Sequence, residues 1–435
     1  MNRPASRPFE PALAFYRLAT TMLGPFAPAL LNWRRRRGKE DPRRMAERMG
    51  YASLARPKGP LAWLHGASVG EGIALLPLVE RLVTRGFHVL VTTGTVTSAA
   101  ILADRLPAGA QHQYIPLDIP GFLARFLDHW RPDLALVAES EIWPNMLRMV
   151  HERGVPLVLV NARLSPRSFA RWGKAPKVIG SLLSRLDLCL AQTRDDALRL
   201  QQLGAPRVEV SGNLKYDVPA PPFSQSALAE MVAAVGARPV WFAASTHQGE
   251  EAIILGVHQR LREDFPDLLT IVAPRHARRG PQIAEVAAGF RIPAALRSLG
   301  DRITPATEFY VADTMGEMGL FYRLTSIVLV GKSLGETRGG QNPIEPAKLG
   351  ATVLHGPNIG NFEQVYRELA DAQGAMEVAD EEALAQALHR YFSDPALLRR
   401  SGRTTQEAVA RFGGATGRIM QALEPWLTQI QAEKR

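Results

Sequence analysis

Three stretches of this chain combine residue types and spacings that could do chemistry. The first is His65-Gly66-Ala67-Ser68-Val69-Gly70-Glu71, where the apolar run Leu61–Leu64 breaks into small residues and then into a helical pattern. Ile73, Leu75, Leu76, Val79, Leu82 and Val83 recur at helical spacing, so Glu71 falls in the first turn, among backbone N–H groups without helical partners. The helix dipole is expected to hold a carboxylate there in its charged form. A charged carboxylate beside a glycine-floored space could accept a proton from an attacking hydroxyl. The same Ser68-x-x-Glu71 spacing also reads as a capping box, in which the two residues satisfy each other's backbone N–H groups. It is neither a dinucleotide fingerprint nor a P-loop, since no Gly-Lys-Ser/Thr follows.

The second stretch is Glu139-Ser140-Glu141-Ile142-Trp143-Pro144-Asn145, with two carboxylates that could face a ligand or could cap the helix beginning at Pro144. The third runs from Gly331 to Pro346. Gly339 and Gly340 allow close backbone approach, and Asn342-Pro343 reads as a helix start with Pro in the first position, whose N–H groups could receive a phosphate. Glu345, in the same turn, could accept hydrogen bonds from ribose hydroxyls. Gly-Gly before a capped helix also occurs in loops that bind nothing. A second loop-to-helix corner follows at Gly356–Phe362, and two corners together favour a nucleotide.

These stretches need elements to position them. From Leu61 to about Gly212, short apolar runs alternate with helical patterns: Leu61–Leu64, His88–Thr93, Leu134–Ala138, Leu157–Val160, Leu188–Gln192 and Val208–Ser211. Strands buried on both faces and separated by helices predict a parallel, doubly wound sheet, with ligands beyond the strand C-termini. Pro219-Ala220-Pro221-Pro222 reads as a stiff linker. After it a second α/β unit is expected, with strands Val240–Ala244, Leu268–Ala273, Phe309–Val311, Ile327–Val330 and Thr352–His355, and an amphipathic helical tail from Asp380. The expected division is 1–40, 41–218 and 219–435.

The chain has 435 residues, 46% of them hydrophobic and 22% charged, enough for two cores and too apolar for disorder. Lys and Arg total 52 against 42 acidic residues, a net charge of +10 that favours anionic partners. No basic stretch interleaved with aromatics points to nucleic acid. The single Cys189 excludes an intramolecular disulfide and sits in an apolar run. At the N-terminus, Leu18–Trp33 is largely apolar and Arg34–Arg37 follows. Gly24, Pro25 and Pro28 interrupt it, so an interfacial anchor is expected rather than a span. Ala27-Pro28-Ala29 resembles a signal cleavage site, but four arginines just beyond it oppose translocation. A helix packed on its own domain is the other reading.

Seven motifs in one order resemble the 3-deoxy-D-manno-octulosonic acid (Kdo) transferase family. They are His65–Glu71, Glu139–Asn145, Asn161-Ala162-Arg163-Leu164-Ser165, Gly212-Asn213-Leu214-Lys215, Ser245-Thr246-His247, Pro274-Arg275-His276 and Gly339–Pro346. Gly66 and Gln341 depart from the pattern, the latter where histidine is usual. The resemblance implies a GT-B fold, two Rossmann-like doubly wound domains facing a central cleft, with an N-terminal membrane-surface segment. It further implies inverting transfer of Kdo from CMP-Kdo to a lipid A precursor at the cytoplasmic face of the inner membrane. Glu71 would be the general base, with Ser68, Glu139, Glu141 and Arg163 on the acceptor side. Lys215, Ser245, Thr246, Arg275, His276, Gly339, Gly340, Gln341, Asn342, Glu345 and Asn361 would hold the donor. The chain has no Asp-x-Asp metal clamp, and CMP leaves as a monophosphate, so no metal or other cofactor is expected. Another GT-B enzyme, such as a nucleotide-sugar transferase or epimerase, and a catalytically silent membrane-surface binder are the alternatives.

Overall fold

Runs such as Leu134-Ala135-Leu136-Val137-Ala138, apolar at every position, belong in strands buried on both faces, and the computed structural model places them so. It describes residues 11–336 and 339–434. Thr337 and Arg338 of the expected phosphate loop, and the first ten residues of the expected membrane segment, lie outside the described residues.

The first sheet contains β1 (Leu61–His65), β2 (His88–Thr93), β3 (Ala110–Tyr114), β4 (Leu134–Ala138), β5 (Leu157–Ala162), β6 (Leu188–Ala191) and β7 (Val208–Val210). Its order is β3-β2-β1-β4-β5-β6-β7, with every neighbour parallel. Along β4 the side chains alternate between two cores. Ala135 and Val137 pack with Phe126, Trp130 and Leu147, while Leu134 and Leu136 pack with Leu75, Val79 and Leu82.

The second sheet contains β8 (Val240–Thr246), β9 (Leu269–Pro274), β10 (Ala294–Leu296), β11 (Phe309–Val311), β12 (Ile327–Val330), β13 (Thr352–His355) and β14 (Ala375–Glu377). It is also all parallel, in the order β10-β11-β9-β8-β12-β13-β14. In each sheet the chain reverses its winding direction once, between β1 and β4 and between β8 and β12. Such reversals open a crevice beyond the strand ends.

The chain divides into two compact units, one running to Val218 and resuming at Gly413, the other Pro219–Phe412. This corrects the expectation that the second domain extends to 435. The last helix, Ala415–Lys434, returns to the first sheet, where Ile419, Leu423 and Leu427 complete the core beneath Leu75 and Val79. An amphipathic pattern shows that a helix has an apolar side and leaves open which sheet that side covers.

The N-terminal segment also belongs to the first unit, as two helices, Pro11–Leu23 and Ala27–Arg36, joined at Gly24–Phe26. One side docks on the domain: Leu13 packs against the core, and Ala27 and Leu31 are buried. The other side is apolar and open, with Met22 67% and Phe26 68% exposed. Among the described residues no helix is long and apolar enough to cross a membrane.

Candidate active site

At the β1/β4 reversal the structure gathers three carboxylates. Glu71 lies at the third position of helix Val69–Thr84, whose N-cap is Ser68. Its Oε2 accepts the Ala67 N–H at 2.6 Å, its Oε1 accepts the Ser68 hydroxyl at 2.8 Å, and Ser68 Oγ accepts the Glu71 N–H at 3.3 Å. The capping geometry is therefore real, and it fixes the carboxylate in one orientation. Its basicity runs against the expected direction. Burial, and then the neighbouring Glu139 carboxylate, push the Glu71 pKa above its ordinary value, outweighing the hydrogen bonds from Ser68 and Ala67. The helix start does not lower its pKa; Glu71 is a more basic carboxylate than a free one.

Glu139 sits just beyond β4 in a left-handed conformation, φ 52°. Its Oε1 is 2.8 Å from Lys215 Nζ, so Lys215, expected on the donor side, is ion-paired within the first unit. Glu141 Oε2 accepts the Trp143 indole N–H at 2.5 Å and lies 3.6 Å from His65 Nε2. Burial raises the Glu141 pKa, but the contacts from His65 and Trp143 prevail and bring it below its ordinary value. Glu141 does not cap helix Pro144–Glu152. That role falls to Asp118, whose carboxylate accepts the N–H groups of Asn145 (3.1 Å) and Met146 (2.9 Å). Arg163 is half-buried, and its guanidinium has no hydrogen bond or ion pair among the described residues.

At the β8/β12 reversal a second constellation forms. A Cβ on Gly331 would lie 2.6 Å from the Ser245 carbonyl, so glycine lets the two strand ends close together. Ser245, φ 59°, turns the chain left-handed there. Thr246, expected on the donor side, faces inward and donates to Glu251 Oε1 at 2.8 Å, and Arg279 grips the same carboxylate at 2.7 and 3.1 Å. Buried Glu250 accepts four backbone N–H groups, from His247 (2.8 Å), Lys332 (2.8 Å), Ser333 (2.9 Å) and Leu334 (3.0 Å), tying the two loops into one. Burial lowers the His247 pKa, and Lys332, His276, Arg275 and Arg279 lower it further. A neutral His247 Nε2 can then accept the Gln341 side-chain amide at 3.1 Å. Arg275 and His276 are exposed beside it.

Gly339 is at φ 131°, and a Cβ there would meet Asn361 Nδ2 at 2.5 Å. Asn361 also donates its N–H to the Gly339 carbonyl at 2.5 Å. The Gly340 and Gln341 N–H groups are engaged by the Lys332 (2.7 Å) and Gly331 (3.1 Å) carbonyls. The following helix spans only Ile344–Lys348, with Pro343 as its N-cap rather than its first residue. Asn342 Oδ1 accepts the Ile344 N–H at 3.1 Å, and Asn342 Nδ2 donates to Glu345 Oε1 at 3.2 Å. One N–H of the helix start, that of Ile344, is thus already taken by the Asn342 side chain. Positive charge at this reversal comes from Lys332, Arg275 and Arg279, not from a row of open N–H groups.

Residues 43–218 match the family profile described as 3-Deoxy-D-manno-octulosonic-acid transferase (kdotransferase). The 3-deoxy-D-manno-octulosonic acid transferase of Bordetella pertussis is 35% identical over 427 residues, covering 95% of this chain and 99% of that one. The transferase of the same description from Haemophilus influenzae is 34% identical over 399 residues, covering 88% and 91%. This chain belongs to the Kdo transferase family.

As a Kdo transferase it is a glycosyltransferase, and its two parallel-sheet domains are those of the GT-B fold. A solved glycosyltransferase from Rickettsia africae superposes with a TM-score of 0.58 over 86% of this chain and 99% of that one, at 13% identity, a likeness of fold alone. In this Kdo transferase, sequence reasoning placed Glu71, Glu139 and Glu141 together and overlooked what holds them. Asp118 lines the same reversal and stands in no pattern that periodicity or capping rules detect, and His65, which opens the first stretch, is given no role of its own by the sequence. Glu250 and Glu251 follow β8 in the first turn of helix Glu250–Leu261. Only the return of β12 beside β8 shows what Glu250 binds.

Proposed function

We propose that this chain transfers Kdo from CMP-Kdo to a hydroxyl of a lipid A precursor by a single displacement with inversion, releasing CMP. Glu71 removes the hydroxyl proton as the acceptor oxygen bonds to the anomeric carbon and the bond from that carbon to the phosphate oxygen breaks, its electron pair leaving with CMP. The orientation of the Glu71 carboxylate and its raised basicity carry this reading, because a base must be both fixed and able to hold the proton it takes. Ser68 and Glu141 shape the acceptor side, and Arg163 supplies an uncommitted cation for an anionic acceptor. In the second unit Arg275, Lys332 and Ser245 receive the leaving phosphate, with Gly339–Asn342 and Asn361 as its rim and Glu345 toward the ribose. Fixed cations take the place of a metal. Incubating the purified protein with CMP-Kdo and lipid A precursor, then weighing the lipid product and reading its anomeric configuration by NMR, tests the reaction. A product with retained configuration, or none, would overturn it.

After burial, Glu139 contributes most to raising the working pH of the base. Glu71 acts only when ionised, so kcat/KM rises as pH passes upward through its raised pKa. Glu139→Gln removes the neighbouring negative charge, which favours ionised Glu71. The acid limb of the pH profile should therefore move to lower pH. A limb that stays in place or moves up would separate Glu139 from the base.

The open apolar side of the N-terminal helices supports docking on the cytoplasmic leaflet of the inner membrane. Arg34 pairs with Glu40 at 2.5 Å, and Arg37 stacks over Trp33 at 4.0 Å, leaving Arg35 and Arg36 facing outward. Each could add about 1 kcal/mol on an anionic surface. Arg35→Gln with Arg36→Gln should weaken binding to anionic vesicles mainly at low salt, whereas Leu23, Phe26 and Leu30 changed to serine should weaken it at every salt concentration. Vesicle sedimentation distinguishes the two, and a serine variant that sediments like the parent would refute the docking.

A further inference from the structure

Beside Glu71 the first unit contains a cavity of about 150 Å³ that the transfer chemistry does not use. Ala67, whose N–H fixes the Glu71 carboxylate, forms part of its wall, so the cavity borders the hydroxyl-activating group. Four polar side chains also reach it, and each has a partner elsewhere, although the Arg48 Nε makes no hydrogen bond. Asp118 accepts the Tyr16 hydroxyl at 3.0 Å and the two N–H groups of the helix it caps. His65 Nδ1 lies 3.0 Å from Thr92 Oγ1, with its other nitrogen toward Glu141. Glu141 holds the Trp143 indole, and Arg48 turns to the Ile115 carbonyl and to Glu40, 3.4 Å away. The remaining wall is apolar, chiefly Ile115, Leu117, Leu123 and Met146.

A cavity with a mostly apolar wall, whose polar side chains except at the Arg48 Nε hold hydrogen bonds within the protein, gains little from a sugar or phosphate, most of whose polar groups would lose water without finding partners. It gains from an apolar guest, and its volume matches apolar cavities that admit a benzene-sized molecule. Tyr16, on the N-terminal helix, forms a hydrogen bond to one of the lining residues, Asp118. The outer side of that helix is the exposed apolar surface. An alkyl chain drawn from a bilayer beneath that helix would thus meet an apolar recess next to the base.

We propose that this cavity takes up about six carbons of one acyl chain of the acceptor, so that the enzyme selects hydroxyls lying close to an alkyl chain. The proposal rests on the lipid acceptor named above. It is tested by comparing kcat/KM for the acylated precursor with that for the same phosphorylated disaccharide freed of its acyl chains, in the parent and in Leu117→Trp, which fills the recess. The parent should favour the acylated acceptor, and Leu117→Trp should reduce that preference roughly ten- to fifty-fold, the worth of two to three buried methylenes. If Leu117→Trp does not fold, by circular dichroism and thermal unfolding, Leu117→Asp puts a charge in the recess from a half-buried position and should reduce the ratio similarly. A parent without preference, or folded variants that keep the parent's ratio, would overturn the cavity's role. A parent that transfers Kdo to neither acceptor would overturn the lipid reading itself and the proposal with it.

Discussion

Glu71→Gln should reduce Kdo transfer by roughly 10²- to 10⁴-fold, the range set by removing a positioned general base. Glutamine fills the same space and can still accept the Ala67 N–H and meet the Ser68 hydroxyl, so the helix start should persist. It cannot take a proton. Because burial and Glu139 raise the Glu71 pKa, the ionised carboxylate is less comfortable in the folded protein than in water, and the neutral amide relieves that strain. The melting temperature near neutral pH should consequently be no lower than the parent's. A group serving only as a cap would show the reverse: little change in turnover and at most a small change in stability. Turnover within a few-fold of the parent would remove Glu71 from the mechanism.

The second large effect is expected at Glu250. Its carboxylate is 1% exposed and is the shared acceptor for the N–H groups of His247, Lys332, Ser333 and Leu334. Glu250→Ala leaves four donors inside the protein without acceptors, each worth roughly 1–3 kcal/mol. Local relaxation and entering water would recover part of this, so about 3–5 kcal/mol should be lost from the second unit. CMP affinity should fall more than ten-fold, since the loops bearing Ser245 and Lys332 are no longer tied together. Glu250→Gln keeps one acceptor oxygen and should lie between parent and alanine on both measures. Urea unfolding and calorimetry with CMP read the two effects. An alanine variant with unchanged stability would show that the loops hold themselves together.

The strands that sequence reasoning found are those it could find physically. Phe309–Val311, Ile327–Val330 and Thr352–His355 have the expected bounds because each is a run of residues suited to burial on both faces. The strands it missed, β3, β10 and β14, are all at sheet edges. Ala110-Gln111-His112-Gln113-Tyr114 is mostly polar, and the other two are three residues long, since an edge strand has one neighbour and less to bury. The positions of the Glu71, Glu139 and Glu141 carboxylates were legible because helix and strand periodicity fix where each element ends. The raised basicity of Glu71 was not, because it comes from burial and from Glu139, a residue 68 positions away that topology brings alongside. The Asn342–Glu345 corner shows the same limit. Its sequence announces a helix start, and only the structure shows that Asn342 has already taken the Ile344 N–H.

The return of helix Ala415–Lys434 to the first sheet makes the second unit an insertion within the first. The chain emerges from the ribosome in one direction, so the first sheet is fully synthesised long before the helix that covers Leu75 and Val79 exists. During that interval an apolar face remains bare, open to chaperones or to other nascent chains, while the inserted unit has everything it needs to close its own core. Maturation thus runs from the inside of the sequence outward, and the half carrying Glu71 is the last to be finished.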